Sequence, residues 1–330
     1  MARPNLFEYA TSELSQDAIL CWLAAWAAPE AAGEDEYLHT LGLQFIAALL
    51  EVNGRPIPDI FSLEIRRQYK SIDVLLIINS RLAICVEDKF GSTEHSNQLA
   101  RYIEGLAADG FAPEDIAPVY VQTLEQGTYA AVKAAGYALV SRKRLLAILG
   151  PYATTPGANA IARDFHDRLT HVDREVESFR DQPPAQWTWL AWQGFYLELQ
   201  AKLFDGEWGY VANPAGGFQG FWWHVKKAQR CEQYLQLEEA ALCFKIGVEQ
   251  PENRARFRDR WHTRLLEQGR KHGLNVVKPR RLGFGQTMTV AVLEADYRVT
   301  DQEGRLDVGA TVARLREAEV VLDQAASSVA

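Results

Sequence analysis

The run Ile72-Asp-Val-Leu-Leu-Ile-Ile-Asn-Ser-Arg-Leu-Ala-Ile-Cys-Val-Glu-Asp-Lys89 constrains this chain more than any other stretch. Val, Ile and Leu fill two arms of strand length, and Asn79-Ser80-Arg81 between them reads as a tight turn. The arms are expected to be two core strands of one hairpin. Charge is confined to the open end, with Asp73 on the first arm and Glu87, Asp88 and Lys89 on the second. Burying carboxylates at the end of an apolar element costs free energy. Their placement therefore points to chemistry.

The register follows from counting. If Asn79, Ser80 and Arg81 all form the loop, Ile78 faces Leu82 and Asp73 faces Glu87. A two-residue loop would set Asp73 against Val86 and send Asp73 and Glu87 to opposite faces. Three-residue hairpin loops are common, which favours the first register. In it Asp73, Glu87 and Lys89 share a face with Leu75 and Cys85, whereas Asp88 points the other way and is non-catalytic. Facing carboxylates repel each other. A divalent cation between them reverses that sign, and Mg²⁺ typically takes one or two carboxylates plus water or phosphate oxygens. Lys89 is then placed to orient or help deprotonate a water. The bland alternative is an Asp73–Lys89 salt bridge, with Glu87 and Asp88 merely solubilising a strand end.

Asp73 followed by Glu87-Asp88-Lys89 resembles the PD-(D/E)XK nuclease superfamily, with an acid opening one strand and (D/E)-x-K closing the next. One departure is Ile72, where that motif has Pro. Two further segments strengthen the resemblance. Phe7 to Leu23 is similar to the opening of a bacterial branch, and a helix beginning near Glu94 carries Gln98 and Tyr102, similar to the Q-x-x-x-Y element of RecB-like members. The resemblance covers about the first half of the chain. It implies an α/β, restriction-endonuclease-like mixed sheet flanked by helices. It also implies a metal held by Asp73, Glu87 and the Asp88 backbone carbonyl, with Lys89 positioning the attacking water. Glu13, chosen over Glu8 and Asp17, would add an acid from the N-terminal helix. Gln98 and Tyr102 would hold phosphate or orient Lys89. The implied activity is a Mg²⁺-dependent endonuclease, with Mn²⁺ as a substitute ion, acting on DNA ahead of RNA. By analogy its setting is phage defence or restriction. The alternative is an inactive nuclease-fold module that binds a protein or nucleic-acid partner.

Around the hairpin, helices are expected from Ser12 to Ala27 and from Tyr37 to Val52, and strands over Phe61–Tyr69, Ala117–Thr123 and Ala138–Ser141. The helical crossover after the hairpin should make the next strand parallel to a neighbour. Asp181-Gln-Pro-Pro184 reads as a linker. It separates a nuclease-like domain over 1–180 from a Trp-rich, smaller α+β domain over 185–330, built on an antiparallel sheet and able to bind substrate, a partner protein or a second copy. The Trp residues there read as core first and as stacking platforms for bases second.

Other classes are excluded or disfavoured. Cys21, Cys85, Cys231 and Cys243 form no C-x-x-C pair, and no Walker loop is present. No run is long enough for a membrane span and the N-terminus has no signal-peptide core, so the expectation is a cytoplasmic protein. A net charge of −8 argues against broad coating of nucleic acid but not against local basic surfaces. Five clusters qualify by sequence: Arg66-Arg67 with Lys70, Arg142 to Arg144, Lys226-Lys227 with Arg230, Arg254 to Arg260, and Lys278 to Arg281. Each alone reads first as a solvated face.

Overall fold

The computed structural model describes residues 3–92, 97–213, 216–228 and 231–327. Two compact units divide the chain, Met1–Arg174 and Glu175–Ala330. The segment Asp181–Pro184 lies within the second.

In the first unit, Ser12 caps helix α1 (Glu13–Ala25) by accepting from the Ser15 N–H. Asp35 caps α2 (Glu36–Glu51), its carboxylate accepting from the Tyr37 and Leu38 N–H groups at 3.0 Å each. The two helices meet closely at Gly42, where a Cβ would come within 2.5 Å of the Ala27 nitrogen. Then follow β1 (Leu63–Tyr69), β2 (Ile72–Ile78) and β3 (Leu82–Phe90) as an antiparallel meander. Helix α3 (Gln98–Ala108) crosses over to β4 (Ile116–Leu124), which runs parallel to β3, as the sequence suggested. Glu94, where that helix was expected to begin, lies outside the described residues. Helix α4 (Ala130–Ala134) leads to β5 (Ala138–Ser141), parallel to β4, and α5 (Arg142–Ala153) and α6 (Ala160–Glu177) follow.

The mixed sheet β1-β2-β3-β4-β5 is covered on both faces. Val74, Leu76, Ile84 and Val86 join one core with Leu20, Leu23 and Phe45. Leu75, Ile77 and Cys85 join the other with Leu99, Tyr102 and Leu106 of α3. Strands buried on both sides carry continuous aliphatic runs, and β2 and β3 do so until their open end.

The second unit begins its own core with α7 (Trp189–Lys202), capped by Thr188. Gly194 is required there, since a Cβ would lie 1.8 Å from the Val176 carbonyl oxygen. Strands β6 (Glu207–Val211), β7 (Phe218–Ala228), β8 (Cys231–Glu238) and β9 (Ala241–Gly247) form a meander. Helix α8 (Arg254–Lys271), the short β10 (Val276–Val277), β11 (Thr287–Leu293) and α9 (Val308–Ser327) complete the unit. Its sheet is antiparallel throughout, in the order β10-β11-β9-β8-β7-β6. Most of its tryptophans are core. Trp223 and Trp261 are fully buried, with their indole N–H groups donating to Glu319 at 2.7 Å and to the Cys231 sulfur at 3.1 Å. Trp189 is the exposed exception.

Candidate active site

The hairpin turn sets the site. Asn79 and Ser80 both take left-handed backbone conformations, and the Arg81 N–H donates to the Ile78 carbonyl at 3.0 Å. Asn79 also tethers the start of β1, accepting from the Phe61 and Ser62 N–H groups and donating to the Asp59 carbonyl. Ile78 therefore faces Leu82, and the ladder runs back to Val74 opposite Val86. This is the register of the three-residue loop. The next residues along it are Asp73 and Glu87.

At the open end, Lys89 stands among three carboxylates. Its Nζ lies 2.6 Å from Glu87 Oε1 and 3.9 Å from both Asp73 Oδ2 and Glu13 Oε2. Asp73 is aligned by the Asp88 N–H, which donates to its Oδ2 at 2.9 Å. Glu13 is fixed by the Phe90 N–H at 3.2 Å and by the Ser92 hydroxyl. From α3, Gln98 donates to Glu87 Oε1 at 2.9 Å and to the Tyr102 hydroxyl. The Asp88 carbonyl accepts from Lys89 at 3.2 Å. The geometry thus gathers Asp73, Glu87, Lys89, Glu13, Gln98 and Tyr102 into one cluster. The Asp88 side chain turns to the opposite face, where Gln16 donates to it.

Electrostatics here are costly. Burial and the neighbouring Asp73 push the Glu87 carboxyl up to about 8, against the pull of Lys89. Burial alone would lower Lys89, yet its bond to Glu87 and the charges of Asp73 and Glu13 hold it above its ordinary value. Asp88 is driven well up by burial, and Asp17 rises to about 6 through burial and Asp73.

Two residues that sequence reasoning missed support this cluster. Gln68 donates to Asp17 at 3.0 Å and to Asp73 at 3.1 Å, and does so from a left-handed backbone with φ 54°. Gln16, buried on α1, joins Asp88 to Thr123 of β4. Gln16 was findable, since it lies three residues beyond Glu13 on the same helix. Nothing in the composition near Gln68 signals a left-handed residue.

The donor set suits a hard cation. Glu87 Oε2 is buried and has no hydrogen-bond partner, and Asp73 and the Asp88 carbonyl supply further oxygens beside it. Among the described residues no group of three or more His, Cys, Asp or Glu forms a ready-made metal cluster. Two carboxylates with a backbone carbonyl fall below that count and still meet the usual needs of Mg²⁺.

The family model for the PD-(D/E)XK nuclease superfamily matches residues 43–155. Over these residues the chain is similar to that superfamily. The matched PD-(D/E)XK region contains Asp73, Glu87, Lys89, Gln98 and Tyr102, while Glu13 precedes it. That similarity suggests a nuclease, and nucleases of this superfamily generally use divalent metal ions. No curated protein and no solved structure shows significant similarity to the chain. No helix among the described residues is long and apolar enough to cross a membrane.

Proposed function

We propose that this chain is a divalent-metal-dependent endonuclease, acting on DNA ahead of RNA, with Mg²⁺ as the ion and Mn²⁺ as a substitute. The observation that carries this reading is Lys89 set among Asp73, Glu87 and Glu13 at the open end of the hairpin, with Glu87 Oε2 buried and unpartnered. Asp73, Glu87 and the Asp88 carbonyl are the residues that would hold the ion. When bound, it would supply Lewis-acid activation of water and of the phosphate. The Lys89 ammonium would position that water and offset charge developing on the phosphoryl oxygens. Gln98 restrains the Glu87 carboxylate, and Tyr102 restrains Gln98. Glu13, held by Phe90 and Ser92, would support the ion or a second one. The Gln98–Tyr102 pair supports a RecB-like assignment. A cytoplasmic role in restriction or phage defence, and partner or self-association through the second unit, are analogies at the level of the fold.

The test is cleavage of single- and double-stranded DNA and RNA by wild type and Lys89→Ala in Mg²⁺, Mn²⁺ or chelator. Cleavage that needs the ion and Lys89 supports the proposal. Metal-independent cleavage, or cleavage indifferent to Lys89→Ala, sinks the mechanism. An inert protein that binds no metal would instead be a binding module on a nuclease fold.

A further inference from the structure

Of the five basic clusters, three are neutralised or turned inward at residues they depend on. Arg142 is fully buried between Glu125 and Asp173, so it is no phosphate contact. Arg66 pairs with Glu64, Lys70 with Asp109 and Lys226 with Asp323. Arg230 lies outside the described residues. The remaining two clusters, over 254–260 and 278–281, are separate in sequence, but the second unit brings them together. Arg258 donates to the Gly283 carbonyl at 3.4 Å and its guanidinium lies 4.6 Å from the centre of the Phe284 ring. Lys278 is close enough to Asp259 for its charge to lower that carboxyl.

The combined surface is unusual for a chain of net charge −8. Residues 254–260 and 278–284 hold seven Arg or Lys and one carboxylate, Asp259, which is taken by Arg258. On this surface, among the described residues, Lys278, Arg280 and Arg281 are exposed and form no ion pair. Phe284 stands in this field with 73% of its surface exposed and the Arg258 guanidinium against its ring. Dense positive charge attracts a phosphate backbone, and an exposed ring backed by a guanidinium offers a base a stacking partner.

We propose that this surface of the second unit binds a single-stranded DNA segment, with Lys278, Arg280 and Arg281 on phosphates and Phe284 stacked on a base. The choice of nucleic acid as the polyanion rests on the nuclease reading; the surface itself does not depend on the catalytic cluster. The test is binding of a fluorescein-labelled single-stranded oligonucleotide to the full chain carrying Lys89→Ala, in chelator, across a salt series. Replacing Lys278, Arg280 and Arg281 together by Ala should weaken binding at least tenfold. It should also flatten the slope of log affinity against log salt by about 2, since each single-strand phosphate contact contributes about 0.7. Arg280→Lys and Arg281→Lys together should retain the slope. Phe284→Ala should lower affinity several-fold for single strands, less for duplex, and leave the slope alone. Unchanged affinity and slope in the Ala variant would overturn the proposal, as would tighter binding of poly-glutamate than of the oligonucleotide. If the wild type cleaves nothing yet binds through this surface, the nuclease reading fails and this one stands. Normal cleavage alongside unchanged binding of the Ala variant would do the reverse.

Discussion

The two ends of one hairpin are built on opposite terms. At the closed end, Asn79 spends its side chain on three backbone groups and locks the register, and the charges nearby are exposed. At the open end, Glu87 and Asp88 are fully buried, each with an oxygen lacking a partner, and Gln68, Lys70 and Ser71 sit in left-handed backbone conformations. The closed end secures the fold. Left-handed backbone occurs at both ends, but the open end alone carries unfavourable buried charge, at a cost in stability that the aliphatic arms between them offset.

That contrast can be broken in four places. The largest effect is expected from Lys89→Ala, which should cut cleavage per folded molecule by on the order of 10²–10³-fold; a folded variant that cleaves normally would remove chemistry from the open end. Next is Glu87→Gln. Because the folded carboxyl titrates near 8 against an ordinary 4.5, its contribution to stability is complete below 4.5 and is lost as pH rises through 8. The amide mimics the protonated form. In chelator, denaturant melts should show the variant more stable than wild type by on the order of 2 kcal/mol at pH 9 and equal to it at pH 4, while cleavage is abolished. A variant less stable at both pH values would mean that Glu87 is held by favourable contacts. At the closed end, Asn79→Ala should cost about 2 kcal/mol, from its lost hydrogen bonds and its left-handed backbone. Cleavage per folded molecule should be intact, and loss of activity without loss of stability would erase the distinction between the ends. Smallest is Ser71→Gly, which removes a left-handed Ser at φ 70° and should raise stability by up to about 1 kcal/mol, read as a higher melting temperature.

Much of the first unit was legible in sequence. The hairpin register followed from its three-residue turn, because a one-step slip would have sent Asp73 and Glu87 to opposite faces. Helices α1 and α2 announced themselves by Ser12, by the break at Gly54 and Pro56, and by apolar spacing. Helix α7 did not. Its apolar residues surround the helix, so no period marks it, and its Trp residues suggest strand as readily. Strand β10 is two residues long, below any pattern. At the site, the charged residues could be named because charge in an apolar hairpin is conspicuous. Gln16 and Gln68 were overlooked because an amide is unremarkable until its burial is known. Arg142 misled for the converse reason, since a basic run in sequence does not reveal which member is turned to the core.

In evolutionary terms, Gln68 occupies a position with a very small permitted alphabet. Glycine would relax the backbone but abolish the amide that joins Asp17 to Asp73. Asparagine is the side-chain amide best suited to a left-handed residue, but it is one methylene shorter. Drift at this site should therefore move in company with residues 17 and 73, and a lineage that abandons the acidic cluster should be free to place glycine there.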